Sequence, residues 1–277
     1  MKKLNTSVAL AALAAVFVAA PAVAADFEAP APEVVDWTAF HIGVGGGGNF
    51  LFVDEEAIGD INSNDLANAN NFLEIDGDHF SDLGKAGFFG TVEAGFDYQL
   101  GSSVVVGVLA NYDFGKTKVD NESSATIEVE NLNGNTFFAD DDGQFETSWK
   151  VGDSWGVGGR IGFLAMDNAL VYVMGGYTQA NVKSSGSISG FDNNNNFFSF
   201  SASDGKWEDG YFVGGGIEAL LTESISLKGE YRFSDYGKVE RSASFEDVNT
   251  NTFAQVSQEG DITIHSIRAV LSYRFGL

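Results

Sequence analysis

The chain has 277 residues, no cysteine and a formal net charge of −24. So acidic a chain repels a phosphate backbone, which excludes nucleic acid as a partner held by bulk charge. It has no thiol with which to form a disulfide or a thiolate site. Its 34 glycines, 24 phenylalanines and only 3 prolines set it apart from disordered acidic chains, which are poor in aromatic residues. Glycine and aromatic residues spread over many short segments are a cue for barrels.

The N-terminus reads as a targeting segment. Lys2 and Lys3 precede an apolar run from Val8 to Ala20, and small residues at Ala22, Ala24 and Ala25 offer a cleavage site. Residues 1–25 are therefore expected to be a removed signal peptide. Pro21 and the shortness of the run argue against a membrane-anchoring helix. Residues 26–36, with Pro30 and Pro32, read as an extended linker. The remainder, 37–277, is expected to be one domain. It contains no apolar run long enough for a spanning helix, so it can cross a membrane only as a closed barrel.

From Trp37 onward the hydropathy alternates with a period of two, the pattern of half-buried strands. Strands are expected at about 37–49, 86–100, 103–116, 151–165, 169–182, 210–221, 224–236 and 261–277. The seventh is the cleanest: Ile225, Leu227, Tyr231 and Phe233 alternate with Ser226, Lys228, Glu230, Arg232 and Ser234. The fifth is apolar on both faces, and its register stays open. Short turns near Gly101, Asp167 and Thr222 alternate with long polar stretches at 50–85, 117–150, 183–209 and 237–260. That alternation predicts an all-β fold: an eight-stranded antiparallel up-and-down transmembrane β-barrel. Its four long extracellular loops lie at one end, and both termini lie at the other.

Periodicity does not say which face is outward, but three further features do. Trp37, Tyr98, Tyr273 and Phe275 lie at the short-turn ends, and Tyr112, Phe114, Trp149, Trp155, Phe233 and Tyr236 lie toward the long-loop ends, as two interfacial girdles would. The polar faces carry Glu93, Asp97, Asp113, Glu218 and Glu230 against Arg160, Lys228, Arg232, Arg268 and Arg274. Equal numbers of each sign are expected of a lumen charge network, because an unpaired charge in a confined interior is costly. Glycines on the same faces, such as Gly43, Gly95, Gly156 and Gly216, would make room for long charged side chains. Lastly, Leu271, Tyr273, Phe275 and Leu277 alternate to the last residue, where a soluble chain would fray.

The hairpin Gly210–Gly237, with its Leu227–Tyr231 segment, and the closing run Ile267–Phe275 resemble the small outer-membrane β-barrel proteins of alphaproteobacteria, the porin-family or opacity-like surface antigens. The resemblance implies recognition of the C-terminal strand by the barrel-assembly machinery, although Gly276 and Leu277 follow the aromatic residue that usually ends the family's signal. It implies no shared catalytic residues.

Gly43, Gly45 and Gly48 fit a dinucleotide fingerprint in spacing, but a strand-like context replaces the helix the fingerprint needs. Asp76, Asp78 and Asp140–Asp142 are acidic loop residues without the spaced pattern of a calcium loop. They suit divalent cations bridging to lipopolysaccharide. His41, His79 and His265 are the only histidines; no nucleophile motif accompanies them. The run Asn193–Asn196 reads as a loop tip. The expected function is thus a structural and interaction role at the cell outer membrane, without cofactor, catalytic residue or metal. The alternatives are a small channel and, behind it, a lipid-modifying enzyme or a haem-binding surface protein.

Overall fold

A computed structural model describes residues 36–63, 72–75, 80–124, 144–191, 197–247 and 252–276. The signal peptide, most of the linker, Asp76–His79, Asp140–Asp142, Asn193–Asn196 and Leu277 lie outside the described residues. Ten strands form one antiparallel sheet: β1 (Ala39–Ser63), β2 (Phe72–Ile75), β3 (Phe80–Leu100), β4 (Val104–Gly115), β5 (Thr117–Ser124), β6 (Gln144–Met166), β7 (Ala169–Phe191), β8 (Phe197–Leu220), β9 (Ile225–Asp247) and β10 (Thr252–Gly276). Neighbours in sequence pair in space, and β10 pairs with β1 along its whole length, from Gly276 opposite Ala39 to Thr252 opposite Ser63. That pairing closes the sheet. β4 and β5 are two halves of one stave broken at Lys116, and β2 is a short flap on β1, so the barrel has eight staves.

The expected strands all occur, and their short-turn ends fall where the turn residues put them. Their other ends run much further than expected. Much of the four polar stretches assigned to loops is strand: β1 runs on to Ser63, β6 starts at Gln144, β7 runs on to Phe191, β8 starts at Phe197, and β9 and β10 meet at Asp247 and Thr252. Their sequences are too polar to carry a sustained period-two signal.

The barrel reverses its polarity along its axis. In β10, Phe275, Tyr273, Leu271 and Ile267 point outward while Arg274, Ser272, Arg268 and Ser266 are buried. Further up, the outward row becomes Thr263, Asp261 and Glu259, and the inward row becomes Ile264 and Ile262. β1, β5, β6, β7 and β9 likewise turn apolar residues inward in this upper section. The outward apolar band, such as Val104–Phe114 on β4, has the roughly ten-residue length that a tilted strand needs to cross a bilayer. The register of β7, open in the sequence, resolves with Leu170, Tyr172 and Met174 inward and Val171 and Val173 outward. An arginine at Val173, in the middle of that band, is expected to cost about 2–4 kcal/mol, measured by urea unfolding in lipid vesicles.

Beyond the band the interior is an apolar core. Leu51, Val53, Val119, Trp149, Val151, Ala180, Val182, Tyr236, Val239, Ile262 and Ile264 pack together there. β-bulges mark the changeover. Pairing slips between Val151 and Ser154 in β6, and between Lys238 and Asp235 of β9 opposite β10. Gly237 at the second bulge has φ +62°, a left-handed conformation that favours glycine. A one-residue insertion exchanges the two faces of a strand. Accordingly Gly156 and Arg160 point inward below the β6 bulge, and Trp149 and Val151 above it.

Three of the residues expected in the aromatic girdles are therefore inside. Trp149 and Tyr236 belong to the upper core. Trp37, with 0% exposure, closes the short-turn end of the lumen rather than facing lipid. Its indole stacks under the Arg274 guanidinium at 4.5 Å, and its Nε1 donates to the Asp167 carbonyl at 3.1 Å. The girdles themselves are carried by Tyr98, Tyr273 and Phe275 at one rim and by Phe114, Tyr177 and Tyr211 at the other, all exposed.

Candidate functional site

The chemistry-bearing side chains converge in the lumen, below the apolar core. Glu93, Asp97, Asp113, Arg160, Glu218, Lys228, Glu230, Arg232, Arg268 and Arg274 are all buried there, and each meets an opposite charge. Leu271, Tyr273 and Phe275 point to the outside wall instead.

The strongest pair joins Arg160 to Asp97. Arg160 Nε and Nη2 approach the two carboxylate oxygens at 2.8 and 2.5 Å, a bidentate fork. Its third nitrogen, Nη1, lies 2.8 Å from Glu218 Oε2, a charge contact whose angle falls outside hydrogen-bond geometry. Ser226 donates to the other Glu218 oxygen at 2.6 Å. The local sequence explains how the fork forms. Gly107 on β4 sits between Asp97 on β3 and Arg160 on β6 in the register. A Cβ at Gly107 would lie 2.2 Å from Asp97 Oδ1, so only glycine lets the pair bridge two strands over it.

A second knot binds Lys228 Nζ to Glu93, with His41 Nδ1 3.4 Å from the ammonium. His41 Nε2 lies 3.5 Å from Asp97, which ties this knot to the first. The third knot is nearest the core. Arg268 reaches Asp113 with Nη1 and Nη2 at 3.3 and 3.0 Å, and Thr91 and Asn111 donate to the same carboxylate. Arg232 donates to Asn111 at 2.9 Å and stacks over Phe212 at 4.2 Å. Glu230 accepts from Tyr172 at 2.6 Å and lies 3.8 Å from Arg268 Nε. The knots link into one network that fills the cross-section.

Sequence reasoning found the charges but not all their partners. His41 alternates with Phe40 and Ile42 and is legible as inward by parity. Tyr172 is hidden in a strand apolar on both faces, whereas Phe212 shares the inward parity of Glu218. The other described histidine, His265, is on the outer wall, where Tyr231 Oη lies 2.6 Å from its Nδ1 and the Phe52 and Phe233 rings flank it. The two histidines are thus held apart, one in the lumen and one outside. Gly43, Gly45 and Gly48 lie within β1, with no helix after them. Among the described residues, no group of three histidine, aspartate or glutamate side chains is arranged to hold a metal.

This build, apolar outside and charged inside over a bilayer's thickness, coincides with a family match. The family described as the outer membrane protein beta-barrel domain covers residues 8–275. The 31 kDa outer-membrane immunogenic protein of Brucella melitensis is 28% identical over 279 residues, 97% of this chain and 99% of that one. The 22 kDa outer membrane protein of Rhizobium leguminosarum is 27% identical over 188 residues, 68% of this chain and 69% of that one. Among solved structures, the outer membrane protein OprG from Pseudomonas aeruginosa aligns with a TM-score of 0.39 and 10% identity, over 88% of this chain and 100% of that one. The chain therefore belongs to the outer membrane protein beta-barrel domain family, is an alphaproteobacterial-type barrel as the hairpin Gly210–Gly237 and the strand Ile267–Phe275 suggest, and resides in the cell outer membrane.

Proposed function

We propose that this protein is a non-conducting anchor that holds four long β-hairpins outward from the cell surface as an interaction platform. The observation that carries this reading is the filled interior. A charged network occupies the membrane section, and the Trp149 core seals the section above it. Neither leaves the barrel a use as a wide pore, so its value lies in what the hairpins present. That one relative is named an outer-membrane immunogenic protein agrees with a surface that faces outward. The reading assigns the chain no reaction. Its partners are the lipid and lipopolysaccharide around the apolar band, and the barrel-assembly machinery acting on the strand that ends in Leu271, Tyr273 and Phe275. Divalent cations at the acidic loops would bridge it to lipopolysaccharide phosphate. Equal protease sensitivity of those loops with and without chelator would remove that bridge.

Two measurements test the anchor. Heat-modifiable gel mobility reports the folded barrel. Planar-bilayer recordings of the refolded protein are expected to show no steady openings; large, stable conductance would make it a channel instead.

A further inference from the structure

The barrel seam between β8 and β9 is zipped only partway. Backbone pairing runs from Leu220 opposite Ser226 to Tyr211 opposite Asp235 and then stops. Both strands continue. Residues 197–210 of β8 stay paired to β7 on their far side, and residues 239–247 of β9 stay paired to β10 on theirs. Among the described residues, these two facing edges have no backbone partner across the seam. Their N–H and C=O groups form two rows that a further strand could join.

Among the described residues, one side chain crosses this gap. Arg241 of β9 places Nη2 on Glu208 of β8 and Nε 3.7 Å from Asp204. The seam is therefore already built to hold a cation between its edges. Trp207, next to Glu208 on β8, is exposed on the opposite face of the strand. The wider field agrees. The ten lumen charges cancel, so the formal −24 of the chain lies outside that set.

We infer that the β8–β9 seam above Tyr211 and Asp235 is a docking slot for an extended, cationic polypeptide strand. Main-chain hydrogen bonds to one or both edges supply the sequence-tolerant part of the recognition. Lysine or arginine side chains on alternate positions meet Glu208 and Asp204, displacing Arg241. This rests on the reading that the hairpins face outward, which is checked first. The chain has no cysteine, so Lys206→Cys is a unique label site on β8. Labelling of intact cells by a membrane-impermeant maleimide supports the outward reading, and failure to label sinks that reading rather than the slot.

The slot is tested with the refolded full chain in nanodiscs and an alternating Lys-Thr peptide of about ten residues, a typical strand's length. Saturable binding is expected, with added amide protection in 197–210 and 239–247. Interrupting the peptide with proline at unchanged charge removes N–H donors and is expected to weaken binding by about tenfold or more. Arg241→Gln frees Glu208 and leaves Asp204 with Lys206 alone, 3.5 Å away, and is expected to tighten binding; a merely structural Arg241 would give the opposite. Four outcomes overturn the proposal: no saturable binding, equal binding of the proline peptide, slow amide exchange along both edges in the free protein, or a self-dimer that protects the same edges.

Discussion

Replacing Arg160 with methionine is expected to lower the unfolding free energy of the refolded barrel by about 3–5 kcal/mol, the usual cost of breaking a buried pair from one side. The side chain has to neutralise two carboxylates at once. Asp97 takes two of its nitrogens and Glu218 the third, and both acids are almost fully buried. Without the guanidinium, Asp97 keeps only the His41 ring at 3.5 Å, and Glu218 keeps Arg274 at 3.8 Å. Urea unfolding in vesicles, followed by gel mobility without boiling, measures the loss. The triple change Arg160→Met, Asp97→Asn and Glu218→Gln removes the charges together and should recover most of the stability. Gly107→Val tests the same joint differently, because it keeps every charge and blocks only the space through which the fork reaches. A single Arg160→Met variant as stable as the parent would mean that water, not paired charge, fills the lumen.

The lumen network bears on function through what it costs to open. A solute path along the axis would have to part the Arg160 fork, the Lys228–Glu93 contact and the Arg268–Asp113 fork, which follow one another from the short-turn end toward the core. Above them Trp149 and its neighbours would have to separate, and below them Trp37 would have to leave Arg274. Each layer is closed by a different force: stacking at the base, charge pairing in the middle, apolar packing at the top. No one change of pH or salt loosens all three together. That redundancy favours a rigid mount over a gate.

How much of this was legible in the sequence depends on which rule each residue obeys. The membrane section follows a strict period of two, and its inward charges and outward apolar rows could be read off directly, as in Ser226–Arg232. The extensions could not, because a strand outside hydrocarbon need not carry an apolar outer row. Tyr236 is inward by simple parity with Arg232 and Ser234, and grouping it with the girdle ignored that count. Trp149 is a different case. Parity with Trp155 places it outside, and only the bulge between Val151 and Ser154 turns it in. Gly152 and Asp153 are the one local hint of that bulge. Trp37 lies before the first strand, where alternation says nothing; the contacts that hold it come from Asp167, Gln99 and Arg274, far away in sequence.

Trp149→Ala is expected to separate the two halves of the molecule. Its ring is the largest side chain in the upper core and has 1% exposure, so truncation should cost about 3–5 kcal/mol there. The loss should stay local. Above the changeover β6 pairs with β5 and β7, while below it β6 pairs with β4 and β7 around the charged lumen. The membrane section keeps its own network and its own lipid-facing band, neither of which touches the indole. Limited proteolysis of the variant in vesicles should therefore trim the extensions of β5, β6 and their neighbours much faster than in the parent. The trimmed barrel should still migrate as a compact species before boiling. If Trp149→Ala instead abolishes heat-modifiability altogether, the apolar core is the nucleus on which the barrel closes, and the hairpins are part of the mount rather than cargo it displays.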